Sequence, residues 1–154
     1  NIPFFFEAWQ IARRQFPRTP DLVLVGGADC LNAAQREAPG LHALSGLSDG
    51  QLHHVYQRAE RLWQPSYGEG FGLPVVEALR VGTPVAVATG SSLDEVTPDD
   101  SPRFSPTDLA GLVRLMGVLS TAESQDPAPL RGWAEQYGVD AFRQRFNDRL
   151  EELR

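Results

Sequence analysis

Apolar residues along this chain fall into two rhythms that take turns. From Phe4 to Phe16 they recur at helical spacing, with Phe5, Ala8, Trp9 and Ala12 on one stripe and Pro17 closing the segment. Leu22 to Val25 is then an uninterrupted apolar run, the mark of a short strand buried on both faces of a parallel sheet. A helix is predicted over Ala28–Ala38 and a second strand over Leu41–Leu44. Ser48 with Gln51 three residues on makes a capping box, which predicts a helix from there to Ala59. Strand Leu62–Gln64, helix Val75–Arg80 and strand Val85–Ala88 follow, and Ser92 with Glu95 repeats the capping-box pattern over a short helix. Ser105, Pro106 and Asp108 open a helix that runs to Leu119. Thr121–Pro129 reads as a loop, and Leu130 onward as one or two helices with charged outer faces.

Strands and helices that alternate in this way predict an α/β domain built on a doubly wound, Rossmann-like parallel sheet. Ligands of such sheets lie beyond the carboxyl ends of the strands. At 154 residues the chain is one domain, large enough for a proper core, and it carries no internal repeat.

Charge and composition narrow the partners. The net charge of −6 leaves no basic stripe to neutralise a phosphate backbone, so no nucleic-acid partner is expected. All 14 basic residues are arginines; there is no lysine. Cys30 is the single cysteine, so no internal disulfide can form, and a reducing, cytoplasmic setting is the expectation. Its apolar neighbours predict a buried, inert thiol. No apolar run approaches the length of a membrane span. His42, His53, His54 and Cys30 lack metal-ligand spacing, and Asp99–Asp100 is not a D-x-D, so neither a metal nor a cofactor is expected. Ser91 and Ser92 lack the setting of a nucleophile elbow. Gly26–Gly27 is too little of a dinucleotide fingerprint to mean more than a tight turn.

The densest chemistry is the run from Pro65 to Glu77, PSYGEGFGLPVVE, at a strand-to-helix turn. Gly68, Gly70 and Gly72 remove side chains where a ligand could approach the backbone. Free amides around Gly72, Leu73, Val75 and Val76 would face outward at a helix N-terminus, a natural anion site. Glu69 and Glu77 are acceptor-only groups suited to hydroxyls. Amides that seek anions beside carboxylates that seek hydroxyls suit a ligand with both phosphate and sugar.

At these residues the chain resembles the retaining glycosyltransferases of glycosyltransferase family 4, which have the two-domain GT-B fold. Their E-G-F-G-L-P-x-x-E signature is present from Glu69 to Glu77 without a gap. Gly82-Thr83-Pro84-Val85 looks like the family's G-T-P-V strand entry, and Ser91–Val96 looks like its S-x-L-P-E-V segment. Leu22–Gly27 and Leu47–Leu52 also fit, in order. The resemblance implies that Glu77 accepts hydrogen bonds from the donor ribose and that Glu69 acts at the transferred sugar, near the reacting carbon. It implies that Gly70, Phe71, Gly72 and Leu73 line the donor phosphate and sugar, and that Leu47 walls the nucleobase. Two plainer readings stand beside these: Leu47 as core packing, and Glu95 as a helix cap. Ser45 stands where the family usually has Gly.

The resemblance further implies that residues 1–154 are the donor-binding, carboxy-terminal domain of a GT-B enzyme, without its first strand and its N-terminal acceptor domain. The family grips the diphosphate with an Arg and a Lys on and after that first strand. The expectation is therefore a fragment unable to transfer sugar alone, from a parent that moves a mannose- or glucose-type hexose to a glycan or lipid-linked acceptor. Such a parent could sit peripherally at the inner membrane face. A non-catalytic nucleotide-sugar-binding module is the alternative reading, and a GT-B sugar-nucleotide epimerase a third.

Overall fold

A computed structural model describes residues 1–152. The first helix, α1 (Ile2–Gln15), starts two residues earlier than its apolar stripe, because Pro3 occupies its first turn without loss of a hydrogen bond. Phe5, Phe6, Ala8, Trp9 and Ala12 are buried along one face. Five strands follow at intervals: β1 (Leu22–Val25), β2 (Leu41–Leu44), β3 (Leu62–Gln64), β4 (Val85–Ala88) and β5 (Arg103–Phe104). Every pairing is parallel, with Leu22 opposite Leu41, Leu62 opposite Val85 and Val87 opposite Arg103. The strands form two ladders, β1–β2 and β3–β4–β5.

Two helical layers hold these ladders. On one side α1 and α6 (Leu109–Leu119) share a core with Leu22, Leu24, Leu41, Trp63, Ala88 and Phe104, so one layer spans both ladders. On the other side α3 (Asp49–Arg58), α4 (Leu73–Val81) and α7 (Pro127–Glu135) pack on Val85 and Val87. All four residues of β4 are buried, as expected of a strand covered twice. The fold is the doubly wound parallel α/β arrangement that the alternation predicted.

Several local expectations need correction. The helix predicted over Ala28–Ala38 is a 3-10 turn (Ala28–Cys30) followed by a one-turn α2 (Ala33–Arg36), because Asn32 and Gln35 form their own capping box and restart the chain. Leu31, not Cys30, takes the buried position; Cys30 is exposed. Burial alternates along β1, leaving Val23 44% and Val25 43% exposed, since the second helical layer reaches only the β3–β4 side. Part of the predicted Thr121–Pro129 loop is helical: Asp126 caps α7, and Pro127 and Pro129 sit in its first turn, where no intrahelical donor is needed. Ser92 precedes α5 (Leu93–Val96) but makes no cap bond, because its hydroxyl is used elsewhere. The last described helix, α8 (Val139–Glu152), buries none of its residues. Among the described residues, no helix is long and apolar enough to cross a membrane.

Candidate functional site

The Pro65–Glu77 run leaves the carboxyl end of β3 and enters α4, as its glycines and proline require. Gly72 is the N-cap of α4 at φ +91°, in the left-handed region. A side chain there would meet Leu93 Cδ2 at 2.8 Å and Val96 Cγ2 at 3.3 Å. Gly72 is therefore small for the sake of α5 packing behind the loop, a correction to the ligand-approach reading of that residue. Gly68 and Gly70 have nothing within 4 Å of the corresponding position and do face open space.

Backbone donors sort themselves in the same way. Val75 and Val76 donate to the Gly72 carbonyl at 3.0 and 3.4 Å, so their amides close the first turn and do not face outward as expected. Among the described residues, the amides of Gly70, Phe71, Gly72 and Leu73 have no protein acceptor. Phe71 packs edge-on against Tyr137, the ring centroids 5.6 Å apart, which steadies the exposed side of the loop. Leu73 is exposed and Gly72 buried.

The two acids are held alike. Glu69 is half-buried; its Oε1 accepts from Gln64 Nε2 at 2.6 Å, and its carbonyl accepts from Ser92 Oγ at 2.8 Å. Glu77, one turn into α4, accepts on Oε2 from the Tyr56 hydroxyl at 3.1 Å. Among the described residues neither carboxylate forms an ion pair. Each has one neutral donor and spare lone pairs, which suits it to accept from hydroxyls.

Glu77 lines an open cavity of about 480 Å³ between α3 and α4, together with Asp49, Leu52, His53, Tyr56, Arg80 and Val81. Burial and the adjacent Glu77 carboxylate push the Tyr56 phenol well above its usual range. Leu47 is half-buried on the β2–α3 loop, and neither it nor Glu69 lines that cavity. The capping box of Ser48 and Gln51 is present as expected. His53 and His54 are exposed, and no group of three or more metal-ligating side chains gathers among the described residues.

Three participants were missed by sequence reasoning: Tyr56, Gln64 and Ser92. Only Gln64 carried a signal, as a polar residue ending an otherwise apolar strand. Ser92 reads in the sequence as a helix cap.

The chain is 34% identical over 118 residues to the MMP alpha-(1->4)-mannosyltransferase of Mycolicibacterium hassiacum, covering 71% of this chain and 29% of that protein. It is 34% identical over 98 residues to the glycogen synthase of Deinococcus deserti, covering 60% of this chain and 22% of that one. Among solved structures, Anabaena HepE in complex with UDP superposes with a TM-score of 0.76 at 17% identity, over 97% of this chain and 44% of that one. Sucrose-phosphate synthase from Thermosynechococcus elongatus gives 0.70 at 21% identity, over 99% and 43%. The chain thus spans under a third of these curated relatives and under half of these structures, and its fold is a Rossmann-like domain of the GT-B type. With residues 1–113 matching the family described as Glycosyl transferases group 1, the chain belongs to that glycosyltransferase family.

Proposed function

We propose that this chain is the donor-binding domain of a retaining family 4 glycosyltransferase. The parent moves a mannose- or glucose-type hexose from a nucleoside-diphosphate sugar to a glycan or lipid-linked acceptor. One observation carries the reading: two carboxylates without cationic partners flank a helix N-terminus whose loop amides are unpartnered. In this reading Glu77 takes the ribose hydroxyls and Glu69 the transferred sugar, close to the reacting carbon. Amides of Gly70, Phe71, Gly72 and Leu73 meet phosphate or sugar oxygens, and Leu47 walls the base. No metal or other cofactor takes part, and the parent works in the cytoplasm, peripherally at the membrane where its acceptor is lipid-linked.

The strand order supports a missing element. Among the described residues no strand pairing joins the ladder β1–β2 to the ladder β3–β4–β5. A doubly wound sheet of order 3-2-1-4-5-6 has its first strand at that gap. We place there the strand that, with an acceptor domain, completes the parent. Meeting charge on the departing diphosphate requires preorganised positive groups, and loss of one such donor costs ~100-fold to ~1,000-fold in rate. The 154 residues alone are therefore expected to bind donor without transferring sugar.

Calorimetry with UDP and GDP tests the assignment. Glu77→Ala should weaken nucleotide binding at least tenfold, or about 1.4 kcal/mol. Unchanged affinity removes the ribose role. The alternative reading is a non-catalytic nucleotide-sugar-binding module. Acceptor-dependent transfer by the longer parent protein eliminates that alternative.

A further inference from the structure

The cavity between α3 and α4 holds a polar contact that the motif alone does not contain. Tyr56 lies in the last turn of α3, buried, with Leu52 and Leu79 in the same apolar cluster. Its hydroxyl reaches Glu77 Oε2 at 3.1 Å, 21 residues away in the chain. Its backbone carbonyl accepts from Thr83 Oγ1 at 2.6 Å, and Thr83 is buried in the turn between α4 and β4. The phenol is therefore fixed at both ends: by packing and the Thr83 bond at its backbone, and by Glu77 at its tip.

A glutamate on a helix surface ordinarily samples several rotamers, and each must be given up when a ligand binds. Arg80, three residues on, lines the same cavity and is within helical reach of Glu77, yet the two form no ion pair. We infer that Tyr56 is a positioning residue for nucleotide binding, holding Glu77 Oε2 so that the remaining lone pairs are preset for a pair of adjacent hydroxyls. This rests on the proposed ribose role of Glu77. A neutral phenol is the appropriate clamp. A guanidinium would orient the carboxylate equally well but would compete with ligand hydroxyls for its lone pairs. Burial first, and then the Glu77 carboxylate, displaces the Tyr56 pKa upward.

Adjacent hydroxyls occur on ribose and on the transferred hexose, so the probes are UDP, GDP and their 2′-deoxy counterparts, titrated calorimetrically into the full chain. The wild type should prefer the ribonucleotides. Tyr56→Phe should reduce that preference about tenfold while binding the deoxy forms as the wild type does, and Glu77→Ala should abolish it. A merely structural role of Tyr56 would weaken all four ligands alike. If Tyr56→Phe keeps the full preference while Glu77→Ala loses it, the positioning inference is wrong and the ribose reading stands. If the wild type shows no preference, or binds none of the four, the underlying reading fails and the inference with it. A measurement on the unmodified chain guards against a poorly folded variant. The Tyr56 hydroxyl proton, observed by NMR, should shift on addition of UDP, because phenol and ribose share one carboxylate. Absence of a shift at saturation overturns the inference.

Discussion

Gln64, the last residue of β3, donates from Nε2 to Glu69 Oε1 at 2.6 Å, so the loop that carries the acid is tied back to the strand it has just left. The same nitrogen reaches Ser66 Oγ at 3.1 Å, and Ser92 anchors the Glu69 carbonyl from the far side. A glycine-rich segment is held in one shape by side chains at three points, which lowers the ordering cost of binding.

Removing the strand-end amide should be felt in the sugar, not in the nucleotide. Gln64→Leu frees the Glu69 carboxylate and is expected to lower the affinity for UDP-glucose or GDP-mannose about tenfold, or about 1.4 kcal/mol. UDP and GDP should bind nearly as before. An equal loss for sugar and nucleotide would place Glu69 elsewhere in the site.

Two glycines of the same loop should behave in opposite ways. Gly72→Ala adds a methyl group against Leu93 at a left-handed position, and should cost about 2 kcal/mol or more. Thermal unfolding should then begin roughly 4 °C or more earlier. Gly70→Ala meets nothing within 4 Å and should stay within about 0.5 kcal/mol of the wild type. Similar melting for the two variants would contradict the packing account of Gly72.

Thr83→Val removes the 2.6 Å bond to the Tyr56 carbonyl while keeping the side-chain shape. That carbonyl also accepts from the Ala59 amide at 3.1 Å, so it is not left bare. The expected loss is that of one hydrogen bond, about 1 kcal/mol, and not the larger penalty of an orphaned buried group. Denaturant titration measures it; a loss of 3 kcal/mol or none would show that the anchor works differently.

Alkaline titration should test the burial of Tyr56. Burial, then the Glu77 carboxylate, raises the folded pKa of Tyr56; burial also raises that of Tyr137. A raised folded pKa means that the group's contribution to stability is complete below the unfolded value near 10 and is lost as pH climbs toward the folded value. Tyrosinate absorbance from Tyr56 should therefore appear only close to unfolding. Early ionisation of Tyr56, identified by its loss in Tyr56→Phe, would argue against the buried contact with Glu77.

Much of the fold could be read in the chain. The alternation of apolar runs and helical stripes located all strands except β5, whose two residues, Arg103 and Phe104, carry no periodicity. The Ser48–Gln51 cap was legible because a cap is a local bargain among neighbours three residues apart. Glu69 and Glu77 could be picked out as candidates because they open and close the E-G-F-G-L-P-x-x-E signature. What tertiary structure decided is who holds them. Tyr56 meets Glu77, Ser92 meets the Glu69 carbonyl and Leu93 crowds Gly72 only because α3, α4 and α5 pack around the end of β3. Local backbone preference acts over one turn or one strand, whereas these contacts join residues 21 and 23 positions apart. Their geometry exists only after the apolar core has brought the helices together.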